Sequence, residues 1–148
     1  MLFVDSDQMI EQRIGTSIRH FFEMYGEDAF RDVEQIVIEE LPALVEPAVI
    51  STGGGAILRS KNRLSLRKSG RVFYLKSSPE DLFHRLKHDT SRPLLQGGDP
   101  LAKLREMYEV RDPLYRETAH FTLETGRPSV AKLVNMIIMQ LELSGDGV

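Results

Sequence analysis

Short apolar runs alternate along the chain with longer stretches in which apolar residues recur every three or four positions. Leu2-Phe3-Val4, Ala48-Val49-Ile50, Val72-Phe73-Tyr74-Leu75 and Phe121-Thr122-Leu123 read as strands, each followed by a helical pattern. That order predicts an α/β fold with a mostly parallel sheet covered by helices. Ile18, Phe21, Phe22 and Tyr25 share one helical face, and Gly26 is placed to end that helix. Val33, Ile36, Val37 and Leu41 repeat the spacing ahead of Pro42, so a second helix is expected over Arg31 to Leu44. Val130, Leu133, Val134, Ile137, Ile138 and Leu141 predict a final helix, and residues 144–148 read as a frayed tail. Neither a repeat nor a linker interrupts the pattern, so residues 1–148 are expected to form one domain. Its longest candidate loop, 88–100, carries Arg92, Pro93, Gly97, Gly98 and Pro100, and long loops of this kind often serve as lids.

Composition narrows the function classes. A chain of 148 residues, 41% hydrophobic and 28% charged, is an ordinary globular sequence long enough for a single core. A net charge of -3 argues against nucleic acid or a polybasic membrane contact as the main partner. With no cysteine, disulfides, thiolate zinc sites and cysteine nucleophiles are excluded. His84 and His88 are spaced i,i+4, but without an HExxH glutamate they read as solvated side chains. No apolar run approaches a membrane span and the N-terminus has no basic n-region, so a cytoplasmic location is expected.

Three groups of residues have the chemistry for a site. Asp5 and Asp7 lie where the first strand ends, the end at which ligands gather in α/β sheets. On an extended chain both carboxylates would point to one side, toward a metal or a hydroxyl. Taken alone, the pair is better read as a helix cap, with Asp7 preceding Gln8-Met9-Ile10-Glu11. Ser51-Thr52-Gly53-Gly54-Gly55-Ala56 follows the second strand, and its glycines let a ligand approach backbone N–H groups closely; a flexible turn is the plainer alternative. Arg31, Arg92 and Arg111 offer planar forks for carboxylate or phosphate oxygens, although each by itself reads as a surface arginine.

Taken together, Asp5-Ser6-Asp7, Gly26-Glu27-Asp28-Ala29-Phe30-Arg31, Thr52-Gly53-Gly54-Gly55-Ala56, Arg92-Pro93-Leu94-Leu95 and Arg111-Asp112-Pro113-Leu114-Tyr115 resemble shikimate kinase in order and spacing over residues 2–143. The resemblance implies phosphoryl transfer from ATP, with Mg²⁺, to the 3-hydroxyl of shikimate on the way to chorismate and aromatic amino acids. It implies that Asp7 binds shikimate hydroxyls and takes or orients the reacting proton, and that Asp5 lies near the Mg²⁺ water shell. Arg31 and Arg111 would hold the shikimate carboxylate. Gly53, Gly54 and Gly55 would line the substrate and face the γ-phosphate. Phe22, Phe30 and Glu34 would support that pocket. Arg92 would reach the phosphates from the lid, and Arg85 and Arg127 would border the adenine. A monomer is implied for the full-length protein.

The resemblance also implies a P-loop, nucleoside-monophosphate-kinase-like sheet of order 2-3-1-4-5, covered by helices on both faces. Strand 1 of that order carries Gly-x-x-x-x-Gly-Lys-[Ser/Thr], yet no Gly-Lys dipeptide occurs in the 148 residues. The sequence is therefore expected to be a shikimate kinase shortened at its N-terminus by about 30 residues, the size of one strand, loop and helix. The strands at Val49 and Val72 would then stand two spacings apart, roughly 9.5 Å, with unpaired edges. Two other readings are a non-catalytic shikimate-binding module and a related gluconate or nucleotide kinase.

Overall fold

All four apolar runs become strands: β1 Leu2–Asp5, β2 Ala48–Ser51, β3 Phe73–Lys76 and β4 Phe121–Glu124. They pair in parallel as two two-stranded sheets, β1 with β2 and β3 with β4. These are the neighbours the resemblance implied on either side of a central strand. The structure, a computed structural model, describes residues 2–44, 46–86, 99–125 and 130–143, leaving aside the side chains of residues 85, 86, 130 and 131. Its α/β elements group into two units, Met1–Gly70 and Arg71–Val148.

In the first unit the ladder runs in register from Leu2 opposite Ala48 to Asp5 opposite Ser51. Side chains alternate across a strand, so Val4 and Ile50 share one face and Phe3 and Val49 the other. Ile50 packs on the cluster of Ile38, Leu41 and Ala56, whereas Phe3 and Val49 remain exposed. Helix α1, Ser6–Ile14, follows β1 directly and ends where Gly15 adopts a left-handed conformation at φ 73°, its N–H bonding the Glu11 carbonyl. Its buried Ile10 meets Phe30 and Val37 of α2, Ile18–Glu40.

The stretch labelled α2 is two helices meeting in a kink at Gly26, the glycine the sequence places at a helix end. Ser17 caps its first helical stretch, which stops at Gly26 because that glycine takes the non-helical φ 85°, ψ 176°. Arg31 lies in the second helical stretch, which starts just after Gly26 and runs to Glu40, rather than spanning Arg31 to Leu44. Tyr25 and Ile36 are exposed, whereas Val37 and Leu41 are buried as expected and are joined by Phe30, Arg31, Glu34 and Ile38. Pro42 has no N–H to extend the α ladder, and the chain tightens into a 3₁₀ turn at Leu41–Ala43. After β2 a second 3₁₀ turn, Gly54–Ile57, leads to α3, Ser60–Ser69.

The second unit holds β3, β4, α4 (Pro79–Leu86), α5 (Pro100–Thr118) and α6 (Val130–Leu143). Phe73 stands opposite Phe121 in the ladder and their rings stack at 5.0 Å. The Val72 N–H donates to His120 Nδ1 at 2.9 Å, and the His120 N–H returns to the Val72 carbonyl at 2.8 Å. Asp99 caps α5, accepting from the Leu101 and Ala102 amides, with Pro100 in the first turn. The rest of the expected lid, 88–98, and the expected tail, 144–148, lie outside the described residues. Among the described residues no helix is long and apolar enough to cross a membrane.

The kink yields a clean test of backbone strain. No atom lies within 4 Å of where a Gly26 side chain would begin, so any cost of Gly26→Ala comes from the dihedrals alone. Positive φ with ψ near 180° is a region that only glycine occupies readily, so the variant should lose about 1–3 kcal/mol in urea unfolding. A loss below a few tenths would show that the kink is not a strained position.

Candidate functional site

The first unit gathers most of the expected site residues around one loop. Asp5 ends β1 and is itself the cap of α1: its Oδ1 accepts the Asp7 N–H at 2.9 Å. The capping role therefore belongs to Asp5, and Asp7 stands in the first turn of the helix, where its charge also suits the helix dipole. The chain between the two aspartates is no longer extended, so their side chains do not follow strand alternation. Asp7 instead meets Gly53. A Cβ on that glycine would lie 2.9 Å from Asp7 Oδ1, so the carboxylate rests on the bare backbone of the loop.

Two residues further on, Gly55 makes a similar contact with Arg31. A Cβ there would overlap the guanidinium, and the residue is buried beneath it. Gly53 has φ −64°, an ordinary value, so what the loop requires at that position is close approach rather than a special backbone angle. Gly54 lies between them at the start of the 3₁₀ turn, which is held by Ala56 N–H to Gly53 O and Leu58 N–H to Gly55 O.

Arg31 itself is 8% exposed and sits on the buried stripe of α2. Its Nη1 donates to Glu34 Oε1 at 2.9 Å, one helical turn on, where Glu34 is 1% exposed. Its Cζ lies 5.1 Å from the centroid of the Phe30 ring, which in turn meets Phe22 at 4.8 Å. Among the described residues its buried Nε has no acceptor. The guanidinium is therefore held by a carboxylate, an aromatic ring and a glycine, with hydrogen-bonding capacity unspent. Such a group suits a bound anion.

Arg111 belongs to the second unit, on α5, beside a bonded cluster the sequence reading did not anticipate. The Tyr74 hydroxyl donates to Asp112 Oδ1 at 2.7 Å, Arg116 pairs with Asp112 Oδ2 at 3.0 Å, and the Tyr74 and Tyr115 rings meet at 4.7 Å. Burial pushes the Tyr74 phenol well above its ordinary pKa, and the bond to Asp112 and its negative charge push it further. The signal available in the sequence was a tyrosine in the middle of a buried strand, since a buried hydroxyl needs a partner. Asn62, fully buried on α3 with neither amide atom paired, was also missed.

Arg92 and Arg127 lie outside the described residues, and Arg85 falls on α4 with its side chain outside them. Among the described residues no three of His, Cys, Asp and Glu gather as a metal-holding group, and Asp5 spends one oxygen on the Asp7 amide. Mg²⁺ needs only one or two carboxylates beside waters and substrate phosphates, so neither observation counts against a place for Asp5 near its water shell.

A family model for shikimate kinase matches residues 1–142. The chain belongs to the shikimate kinase family. The shikimate kinase of Paracidovorax citrulli is 57% identical over 145 residues, covering 97% of this chain and 79% of that protein. That of Ralstonia nicotianae is 53% identical over 143 residues, covering 97% and 75%. Among solved structures, shikimate kinase from Acinetobacter baumannii in complex with shikimate superposes with a TM-score of 0.87 at 43% identity, covering 97% of this chain and 79% of that one. The Aquifex aeolicus enzyme gives 0.82 at 29% identity, covering 100% and 85%. The family is a phosphotransferase family, and its reaction is the ATP-dependent phosphorylation of shikimate. Membership sets aside the reading as a gluconate or nucleotide kinase.

The geometry makes two predictions. Removing one member of a buried ion pair strands the other charge at about 3–5 kcal/mol, so Arg31→Met and Glu34→Leu should each destabilise the chain strongly. The double variant should lose clearly less than the sum in urea unfolding; strict additivity would mean the two charges are not coupled. In alkaline titration the Tyr74 phenol should stay protonated above the ordinary tyrosine range. Because the folded-state value is raised, the stability this proton contributes is complete below about pH 10 and is lost as pH rises beyond it. In Tyr74→Phe the phenolate absorbance gained above the ordinary tyrosine range should fall by one tyrosine's worth; an unchanged gain there would assign the buried phenol elsewhere.

Proposed function

We propose that the first unit presents the shikimate side of the kinase site, with Arg31 as carboxylate receptor and Asp7 as hydroxyl acceptor, on opposite parts of the Gly53–Gly55 loop. The observation that carries this reading is the buried Arg31 guanidinium, fixed by Glu34 and lying against Gly55, with a shielded Nε that lacks an acceptor. A small polyol acid calls for a cationic fork at one end and a carboxylate at the other, and preorganising both lowers the cost of orienting it. The bare loop lets substrate, and the phosphoryl group transferred to it, come close to backbone N–H groups. The A. baumannii relative is in complex with shikimate, which supports the same ligand here.

In this reading the shikimate 3-hydroxyl gives its proton to Asp7 as its oxygen attacks the γ-phosphorus of ATP. The bond between that phosphorus and the β,γ-bridging oxygen breaks, and ADP leaves. Arg111 is assigned to the shikimate carboxylate on the resemblance alone, as are Arg92, Arg85 and Arg127 to the nucleotide and Asp5 to the surroundings of Mg²⁺. When bound, Mg²⁺ supplies charge neutralisation on the phosphates. A cytoplasmic location, one functional domain and a monomeric full-length kinase belong to the same proposal.

A second reading has its own observation. The 148 residues contain no Gly-Lys dipeptide, hence no P-loop lysine, and this favours shikimate binding without turnover by the chain as given. Calorimetry and coupled ADP release decide between them. Shikimate should bind without ATP and lose most of its affinity in Arg31→Ala and in Arg111→Ala, whereas shikimate-dependent ADP release should stay at background. Turnover near that of a P-loop-bearing family member would overturn the second reading, and tight binding by Arg31→Ala would overturn the assignment of the receptor.

A further inference from the structure

Arg59 stands at the cap of α3, two residues beyond the 3₁₀ turn that carries Gly55. Serine, threonine, aspartate and asparagine favour that position because their oxygens accept the first free N–H groups of the helix. Arginine has no such oxygen, makes no capping bond here, and places positive charge at the positive end of the helix dipole. Its residue type is thus poorly suited to starting α3, and its side chain goes elsewhere. Nη1 donates to Asp32 Oδ1 at 2.7 Å and to Gln35 Oε1 at 3.1 Å, and Nη2 to the Asp28 carbonyl at 3.5 Å.

Residues 28, 32 and 35 form one ridge of α2, spaced i, i+4, i+7, beside the ridge that carries Arg31 and Glu34. The glycine loop therefore touches α2 twice. At Gly55 it lies against the Arg31 guanidinium, and at its exit Arg59 fastens it to the neighbouring ridge. We propose that Arg59 is a positioning residue: by pinning the exit of the loop to α2, it keeps Gly55 against Arg31 and so holds the anion receptor in its working geometry. The pinning stands on the contacts themselves; its consequence for shikimate rests on the function proposed above.

An exposed ion pair contributes little to global stability, since Asp32 is mostly open to solvent, so the effect belongs to the loop rather than to the fold. The deciding variant is Arg59→Ser, which removes the brace while supplying α3 with a favourable cap. If Arg59 served only the stability of α3, this change would be neutral or beneficial in every measurement. The brace predicts a different pattern in the full 148-residue chain. The thermal midpoint should hold or rise, while the Ala56 and Leu58 amides exchange with solvent at least about fivefold faster, a factor in the range of a lost surface pair. The Gly15 and Thr125 amides, bonded to Glu11 O and Lys76 O, should keep their rates. Shikimate affinity by calorimetry should fall about threefold to tenfold, with Arg59→Lys, which keeps the charge but cannot span three acceptors, in between.

Unchanged exchange at Ala56 and Leu58, or a rise shared by Gly15, overturns the brace. Faster loop exchange with unaltered shikimate affinity overturns its positioning role. Failure of the unmodified chain to bind shikimate at all overturns the proposed function instead, and the exchange rates still decide whether Arg59 pins the loop.

Discussion

A single buried charge pair organises the first unit. Arg31 and Glu34 occupy stripe positions on α2 that a simple amphipathic helix would give to leucine or valine, and both are almost entirely withdrawn from water. Desolvating two ions is costly, and their attraction offsets this only when the geometry is good and few polar atoms are left over. Much of the surrounding sequence can be understood from that demand. Gly55 is glycine because the guanidinium fills the place of a side chain, Phe30 lends its ring face to the cation, and Glu34 supplies the counter-charge from the next turn. The capacity left unspent at Nε is the exception, and such exceptions mark places where a ligand is to be accommodated.

Much of this was legible before any coordinates. The four strands, the glycine loop and the last helix follow from period and punctuation, and the pairing of strands follows from the family resemblance. What escaped were choices made by tertiary packing. The periodicity places Tyr25 and Ile36 with the apolar face, yet both are exposed, and Phe30 and Ile38 face inward with the ion pair. Two aspartates around a serine invite the assumption that the later one caps the helix, but the helix begins one residue after Asp5 and takes the earlier one. Arg59 carried a readable signal, an arginine where a capping oxygen belongs, but recognising it required knowing where α3 starts.

In the second unit the motif reading put its weight on Arg111, while the described contacts are made by its neighbours. Asp112 takes the Tyr74 hydroxyl on one oxygen and Arg116 on the other, and Tyr115 covers the Tyr74 ring. Pro113 within the same helix removes one N–H from the ladder, so side-chain ties across to β3 help keep this stretch of α5 in place. Residues that fix an arginine by holding its helix carry no chemical signature when only the sequence is read, because what they do is mechanical.

The outward face of the first strand pair has a consequence of its own. Phe3 and Val49 are register partners, 73% and 52% exposed, so an aromatic ring and a branched aliphatic side chain stand together in water on a narrow parallel ribbon. An apolar surface of this kind, where nothing covers it, favours self-association as concentration rises. Light scattering against dilution, rather than any property of a single molecule, then sets the conditions under which two preparations of this chain can be compared.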